Sequence, residues 1–336
     1  MTNLLFLATA NGVIACELNG GNWRETHRGL AAQNVTSVTA RGAVILAGTT
    51  DGVFRSDDLG RTWHEASIGL TARHVRWLSH PPATPDLVFA GTEPASIFVS
   101  HDKGGSWREC PEVASLRDRH QWFLPYSPEA GCIRGFAFHG QRGYAAAEVG
   151  GALRSDDGGE RWRLADGSDG RPNFAGPPEA FVHPDVHSIE VHPSSPDLVF
   201  APTGGGFYRS TDGGATWEYL YDCYCRAMWL DPNDAAHLIL GPADSVDSNG
   251  RIEETRDGGR TWTRASAGLK VPWRRHMVER FAQAGDELLA VLSNGELIAA
   301  PLATLEWRRV LLEVEAINSI AVMGDPSSLN FATATA

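Results

Sequence analysis

Seven tryptophans close near-copies of one short phrase, and that repetition constrains the fold more than any other feature of the chain. They are Trp23, Trp63, Trp107, Trp162, Trp217, Trp262 and Trp307, at successive spacings of 40, 44, 55, 55, 45 and 45 residues. Five carry a full turn: Ser56-Asp57-Asp58-Leu59-Gly60-Arg61-Thr62-Trp63, Ser100-His101-Asp102-Lys103-Gly104-Gly105-Ser106-Trp107, Ser155-Asp156-Asp157-Gly158-Gly159-Glu160-Arg161-Trp162, Ser210-Thr211-Asp212-Gly213-Gly214-Ala215-Thr216-Trp217 and Thr255-Arg256-Asp257-Gly258-Gly259-Arg260-Thr261-Trp262. The copy before Trp23 is reduced to Asn19-Gly20-Gly21-Asn22, and Trp307 keeps only the tryptophan. In such a phrase the aspartate accepts backbone N–H groups a few residues on, the glycine takes a positive φ, and the tryptophan packs between sheets. Units this small cannot each bury an apolar face, so the repetition means an array of stacked supersecondary units.

Each unit reads as four short strands with turn residues between them. Around Trp217 these are Val186–His192, Leu198–Pro202, Phe207–Ser210 and Thr216–Leu220, with a turn at Pro193–Pro196. The same order fits Val35–Trp63, Val75–Trp107, Ile133–Trp162, Arg226–Trp262 and Val278–Trp307. Ile317–Met323 matches an inner strand with nothing after it, whereas Leu4–Ala8, Val13–Leu18 and Trp23–Thr26 match strands two to four with nothing before them. Joining the two segments completes a seventh blade and removes the exposed edges of an open sheet.

The phrase S/T-x-D-x-G-x-T/S-W resembles the Asp-box, or bacterial neuraminidase repeat, and the resemblance covers nearly the whole chain. It implies an all-β, seven-bladed propeller of sialidase-like type, with each box joining the third and fourth strands of a blade. It also implies that the box aspartates lie opposite the usual ligand face and staple the fold rather than catalyse. The expected organisation is one propeller over 1–324, with blades at about 35–66, 74–110, 132–165, 186–220, 225–265, 277–310, and 316–324 joined to 3–26. Residues 325–336 read as a polar tail.

Composition narrows the function. A net charge of −12 argues against nucleic acid or an anionic membrane surface, because phosphate binding needs a positive footprint. Five scattered cysteines, including Cys223 and Cys225, make no disulfide framework. Leu4–Ala10 lacks a basic flank and supplies a strand that the ring needs, and no apolar run reaches membrane-spanning length, so the expected location is cytoplasmic.

In a propeller the inner strands line an axial channel, and small ligands are usually bound on the face where the chain enters those strands. Aligning the inner strands on their outgoing turns puts Thr36, Arg76, Arg134, His187, Arg226, Glu279 and Asn318 at one level, with blades two and six matching to within one residue. Just above that level come His74, Cys132, Asp185, Tyr224 and His276. The second-strand exits add Glu93, Glu148 and Asp244. Three long loops leading into inner strands, at about 108–131, 163–185 and 263–275, bring Trp122, Tyr126, Phe174 and Trp273, which suit a ring-shaped or apolar ligand. His80, His139 and His192 fall on the far face and are set aside.

These residues support several readings. Arginines at the axis can clamp a carboxylate, and Glu148 or Glu93 with His187 can serve as acid and base, which describes a hydrolase or lyase acting on a small anionic or carbohydrate substrate. Arg76, Arg134, Arg226, Glu279, Asn318, Asp244, Trp122 and Trp273 would then bind the ligand. Alternatively the same arginines are paired in channel water and the chain is a non-catalytic scaffold or ligand-binding protein. A third reading uses His74, His187 and His276 to hold a divalent metal. Asp-box relatives include sialidases, xyloglucan-active glycosidases, sortilin-type receptors and photosystem II assembly factors. The Arg-Ile-Pro segment of sialidases is missing here, as is a tyrosine–glutamate nucleophile pair, so sialidase activity is not expected.

Overall fold

The computed structural model describes residues 4–173 and 176–323. It contains seven antiparallel four-stranded sheets arranged as the blades of a propeller. Their inner strands are Val35–Arg41, His74–Ser79, Cys132–His139, Glu190–Val191, Tyr224–Leu230, Val278–Ala284 and Ile317–Met323, for blades one to seven. Successive inner strands touch from blade seven round to four and again from five to seven, while blade five meets the second strand of blade four, Val199–Thr203. The expected tail at 325–336, the outer residues of 1–3 and Phe174 lie outside the described residues.

Ring closure follows the expected join. Leu4–Thr9 is hydrogen-bonded to Gly12–Asn19 on one side and to Ile317–Met323 on the other, with Leu5 opposite Val322 and Leu7 opposite Ile320. Five of the six residues in Leu4–Thr9 are buried, which an unpaired edge would not allow. The apolar cores lie between blades. Leu5, Leu7 and Trp23 of blade seven pack with Leu289 and Val291 of blade six, and Trp229 and Ile239 of blade five pack with Leu288 and Trp307 of blade six. A blade has an apolar face only because its neighbour covers it.

The repeated phrase forms the turn between the third and fourth strands. In the copy around Asp58, Oδ1 accepts N–H bonds from Arg61 and Thr62 at 3.0 and 2.8 Å, and Oδ2 accepts the Thr62 hydroxyl at 2.7 Å. Asp102 and Asp257 repeat the pattern with Ser106 and Thr261. In each of the five full turns a glycine ahead of the tryptophan has a positive φ, 84° at Gly60 and 94° at Gly159. Each full turn also donates an N–H to the turn leaving the inner strand of its own blade, for example Gly158 to Gln141 O at 2.8 Å and Gly213 to Asp197 O at 3.0 Å. The boxes and the inner-strand exits therefore share one end of the ring.

One irregularity recurs in every inner strand. Pairing of the inner with the second strand slips by one residue between Val35 and Ser37, Val75 and Trp77, Ile133 and Gly135, Cys225 and Met228, Val278 and Arg280, and Ile317 and Ser319. In blade four the same slip falls between the Val186–Thr203 bridge and the Glu190–Phe200 pair. The extra residues include Thr36, Arg76, Arg134, Arg226, Glu279 and Asn318. A β-bulge releases one residue from the alternating pleat and re-aims its side chain. That is how a level of polar residues sits on strands whose neighbours are apolar.

The segment expected as a plain loop at 108–131 contains a helix, Pro111–His120. Proline in its first turn, Glu112 near its N-terminus and Arg117, Arg119 and His120 in its last turn all suit that conformation. Gln121 ends it in the left-handed region, with its N–H on Arg117 O. In blade four the regular inner strand shrinks to Glu190–Val191, because the backbone at His187 and Ser188 shares one acceptor, Pro202 O, instead of continuing the ladder.

Candidate functional site

The bulges deliver an interlocked charge cluster to the axis. Arg76 Nη1 bonds Glu93 Oε2 at 3.0 Å, and Arg134 Nη1 bonds Glu148 Oε2 at 2.9 Å. Arg134 Nη2 lies 3.6 Å from Glu279 Oε2, and Glu279 Oε1 accepts a short bond from Arg226 Nη1. The loop after the helix seals this layer from the face opposite the boxes: the Ser127 hydroxyl donates to Glu93 Oε1 at 2.6 Å and the Tyr126 hydroxyl bonds Glu148. The Cys132 thiol lies 3.3 Å from Glu148 Oε2, and burial beside that carboxylate keeps it protonated.

Electrostatics in the layer follow from these pairs. Burial alone would raise the Glu148 pKa, but Arg134, His187 and the Tyr126 hydroxyl outweigh it and hold the carboxyl far below the usual range. Glu279 is lowered in the same way, burial being overcome by Arg226 and Arg134. Burial lowers the His74 pKa, with Glu93 opposing, 3.7 Å away. Glu148 is thus held as an anion, suited to binding a cation and poorly suited to either accepting or donating a proton near neutral pH.

Beyond this layer, towards the boxes, lies an axial cavity of about 530 Å³. Arg134, His187, Arg226 and Glu279 line it at the level of the charged layer, and Arg41 and His80 line it at the inner-strand exits. Ligand-sized space is therefore on the box side of the charged layer, and His80, set aside from sequence, lines it. Two further charged residues face it that the sequence alignment passed over. Arg280 stacks its guanidinium 3.9 Å above the Trp77 ring and gives Nε to Asn318 O at 3.1 Å, but no carboxylate among the described residues pairs with it. Burial and the charges of Arg134 and Arg76 push its pKa down to about 9, so it remains a cation at neutral pH but an under-neutralised one. Glu190 is open to channel water yet lies deep within the ring; burial pushes its carboxyl up to about 7, and the water that reaches it works against that shift. The signal for Arg280 was its position next to Glu279, since a bulge turns two successive residues to one side.

The remaining sequence candidates are dispersed. Asn318 Nδ2 donates to Val35 O at 2.8 Å, closing the contact between blades seven and one. Trp122 is buried against Gly150, with its indole N–H on Gly170 O at 2.8 Å, so it is a core residue. Trp273 leans on His276 with ring centroids 5.0 Å apart, and its backbone pairs with Gly250. Asp244 is exposed and bonded to Arg251 and Asn249. Of the three histidines considered for a metal, His74 faces Glu93, His276 faces Trp273, and His187 has other neighbours. Among the described residues, the potential metal ligands gathered at the axis are Glu148, Asp185 and His187, whose ligating atoms lie within 4.8 Å of one another.

The BNR/Asp-box repeat family matches residues 208–219, the third-to-fourth strand turn of blade four. The chain is a seven-bladed β-propeller that carries an Asp-box repeat. Among solved structures it is similar to an ancestral GH74 enzyme, with 17% identity and a TM-score of 0.62 over 95% of this chain. The propeller spans only 40% of the length of that enzyme. It is also similar to YCF48 from Cyanidioschyzon merolae, at 13% identity and a TM-score of 0.58, covering 90% of this chain and 96% of the other. A YCF48 bound to a D1 peptide gives 14%, 0.57, 85% and 84%. At such identities the likeness is one of fold. No curated protein matches the sequence.

Proposed function

We propose that this propeller binds a small anionic molecule, of the carboxylated-sugar or phosphate class, in its axial cavity. The observation that carries the reading is Arg280. Arg76, Arg134 and Arg226 are each paired with glutamate, whereas Arg280 presents a stacked guanidinium to a cavity of about 530 Å³ and, among the described residues, forms no ion pair, feeling Glu279 only at a distance. A planar cation of this kind accepts a carboxylate or phosphate bidentately. The cavity falls within the roughly 300–1,000 Å³ range of small-molecule sites.

A second reading, turnover of the bound ligand by a hydrolase or lyase, rests on Glu190. Its elevated pKa and place in the cavity wall give it a proton to donate near neutral pH, which Glu148 lacks. Of the similar folds, one is a GH74 enzyme and another binds a peptide, so fold alone does not choose between catalysis and binding.

The test is calorimetric titration with hexuronates and inorganic phosphate, using the wild type, Arg280→Ala and Glu190→Gln. Arg280→Ala should weaken binding at least tenfold, and Glu190→Gln should retain binding while losing any turnover. Undiminished affinity in a folded Arg280→Ala protein would remove the cavity reading, and turnover surviving in Glu190→Gln would remove the catalytic one.

A further inference from the structure

We propose that Glu148, Asp185 and His187 form a binding site for one divalent transition cation of the Zn²⁺ or Mn²⁺ type, beside the axial cavity that His187 lines. The inference starts from the tautomer of His187. Its Nδ1 lies 2.8 Å from Cys225 O, and a carbonyl only accepts, so Nδ1 carries a hydrogen. In the neutral ring the Nε2 lone pair then faces Asp185 Oδ2 at 3.2 Å, with the Tyr224 hydroxyl at 3.4 Å. A lone pair opposed to a carboxylate at that distance is repulsive unless a positive species lies between or beside them. His187 is fully buried, so bulk water does not relieve the contact.

Asp185 supplies the second, independent observation. The other carboxylates of the axial layer, Glu93, Glu148 and Glu279, each have an arginine; Asp185 has none among the described residues. Its Oδ1 is buried and has no hydrogen-bond partner. A proton on His187 would answer Oδ2 alone and leave Oδ1 stranded, at the cost of a buried unsatisfied oxygen. A chelated cation, or a water bound to it, answers both oxygens and the imidazole together.

The geometry suits coordination. With metal–ligand bonds of about 2.0–2.2 Å, adjacent ligand atoms stand roughly 3.0–3.5 Å apart. The Nε2–Oδ2 separation is already such an edge, and Glu148 needs only a small side-chain adjustment to close the third vertex. Arg134 occupies Oε2 of Glu148 and leaves that carboxylate capacity for another partner. The hydrogen bond from Nδ1 to Cys225 O is the outer contact that orients metal-binding histidines. One imidazole with two carboxylates favours a borderline transition cation over Ca²⁺ or Mg²⁺, which prefer oxygen alone.

The test uses the full chain, stripped with chelator and then titrated with Zn²⁺ or Mn²⁺ at pH 7.5. One equivalent should bind, with a rise in Tm that grows with metal concentration. Asp185→Asn and His187→Gln should each weaken binding at least tenfold, and His276→Gln should leave it unchanged. Should either site variant fail to fold, Co²⁺ added to the wild type should give visible absorption that Zn²⁺ displaces. Absence of stoichiometric binding, a silent Co²⁺ spectrum, or binding that Asp185→Asn leaves intact would overturn the proposal in favour of a metal-free imidazolium–aspartate pair.

Discussion

The aspartates of the repeated turn are anions held by donors, and their chemistry is local. At Asp102, burial is the largest single influence and opposes ionisation, but the hydroxyls of Ser100 and Ser106 and two backbone N–H groups together prevail and lower the pKa to about 2. Asp58 is lowered to about 2 as well, through the Thr62 backbone and hydroxyl. The sign of the linkage is fixed by that direction. A carboxylate whose folded pKa lies below its unfolded value of about 3.9 stabilises the fold fully above the unfolded pKa. That contribution is lost as pH falls through the folded pKa. Replacing Asp102 and Asp58 by Asn should therefore reduce the fall in Tm between pH 5 and pH 2, measured by circular dichroism. An equally steep fall in the double variant would show that these turns contribute nothing to acid sensitivity. Asp102 is exposed and Asp58 only half-buried, which keeps the effect modest. The boxes were legible from sequence because every donor and acceptor in them lies within a few residues of the aspartate. Arg280 and Glu190 were not, because their significance depends on their surroundings in space: the lack of a pairing carboxylate among the described residues in one case, a place in the wall of the axial cavity in the other.

Among elements, the decisive contacts run from blade to blade. Trp107, in blade two, gives its indole N–H to Ala66 O of blade one at 2.8 Å, and its backbone N–H to Ile68 O at 2.8 Å. Trp307 repeats this towards blade five through Ala265 and Ala267. Trp107 packs with Leu46, Val53, Leu70 and Phe98, residues drawn from both blades, so it fills the seam between them. Trp107→Ala should cost about 3–5 kcal/mol in chemical denaturation, through the void left behind and the unpaired Ala66 carbonyl. A loss below 1 kcal/mol would mean that the seam is held elsewhere. The strand order was readable from spacing, and so was the polar level, because one polar residue recurred in each inner strand. Its cause was not readable. A bulge is a relation between two strands, and the slip is invisible until the second strand is paired with the first. The helix Pro111–His120 was missed for a related reason: Val113 is its only buried residue, so no apolar stripe marks the helical period.

At the scale of the molecule, closure is what makes seven marginal sheets one object. Leu4–Thr9 is paired on both edges only because Ile317–Met323 lies beside it, and the core that includes Leu5, Leu7, Ile317 and Ile320 reaches into blade six through Leu289 and Val291. Asn318, from the same strand, bonds Val35 O across the seam to blade one, and its own carbonyl receives Arg280 Nε. One strand therefore ties the two ends of the ring together and orients Arg280 at the cavity. Ending the chain after residue 315 should consequently do more than remove seven residues' worth of contacts. It exposes the apolar strand Leu4–Thr9 as an open edge, uncovers one face of blade six and releases Arg280 from its carbonyl. An open edge of that composition is a template for association with other chains. The expected outcome is loss of a cooperative thermal transition and formation of high-mass species in size-exclusion chromatography. A truncated chain that stayed monomeric and melted in one sharp step near the parent Tm would show that the six remaining blades hold the ring without the strand that closes it.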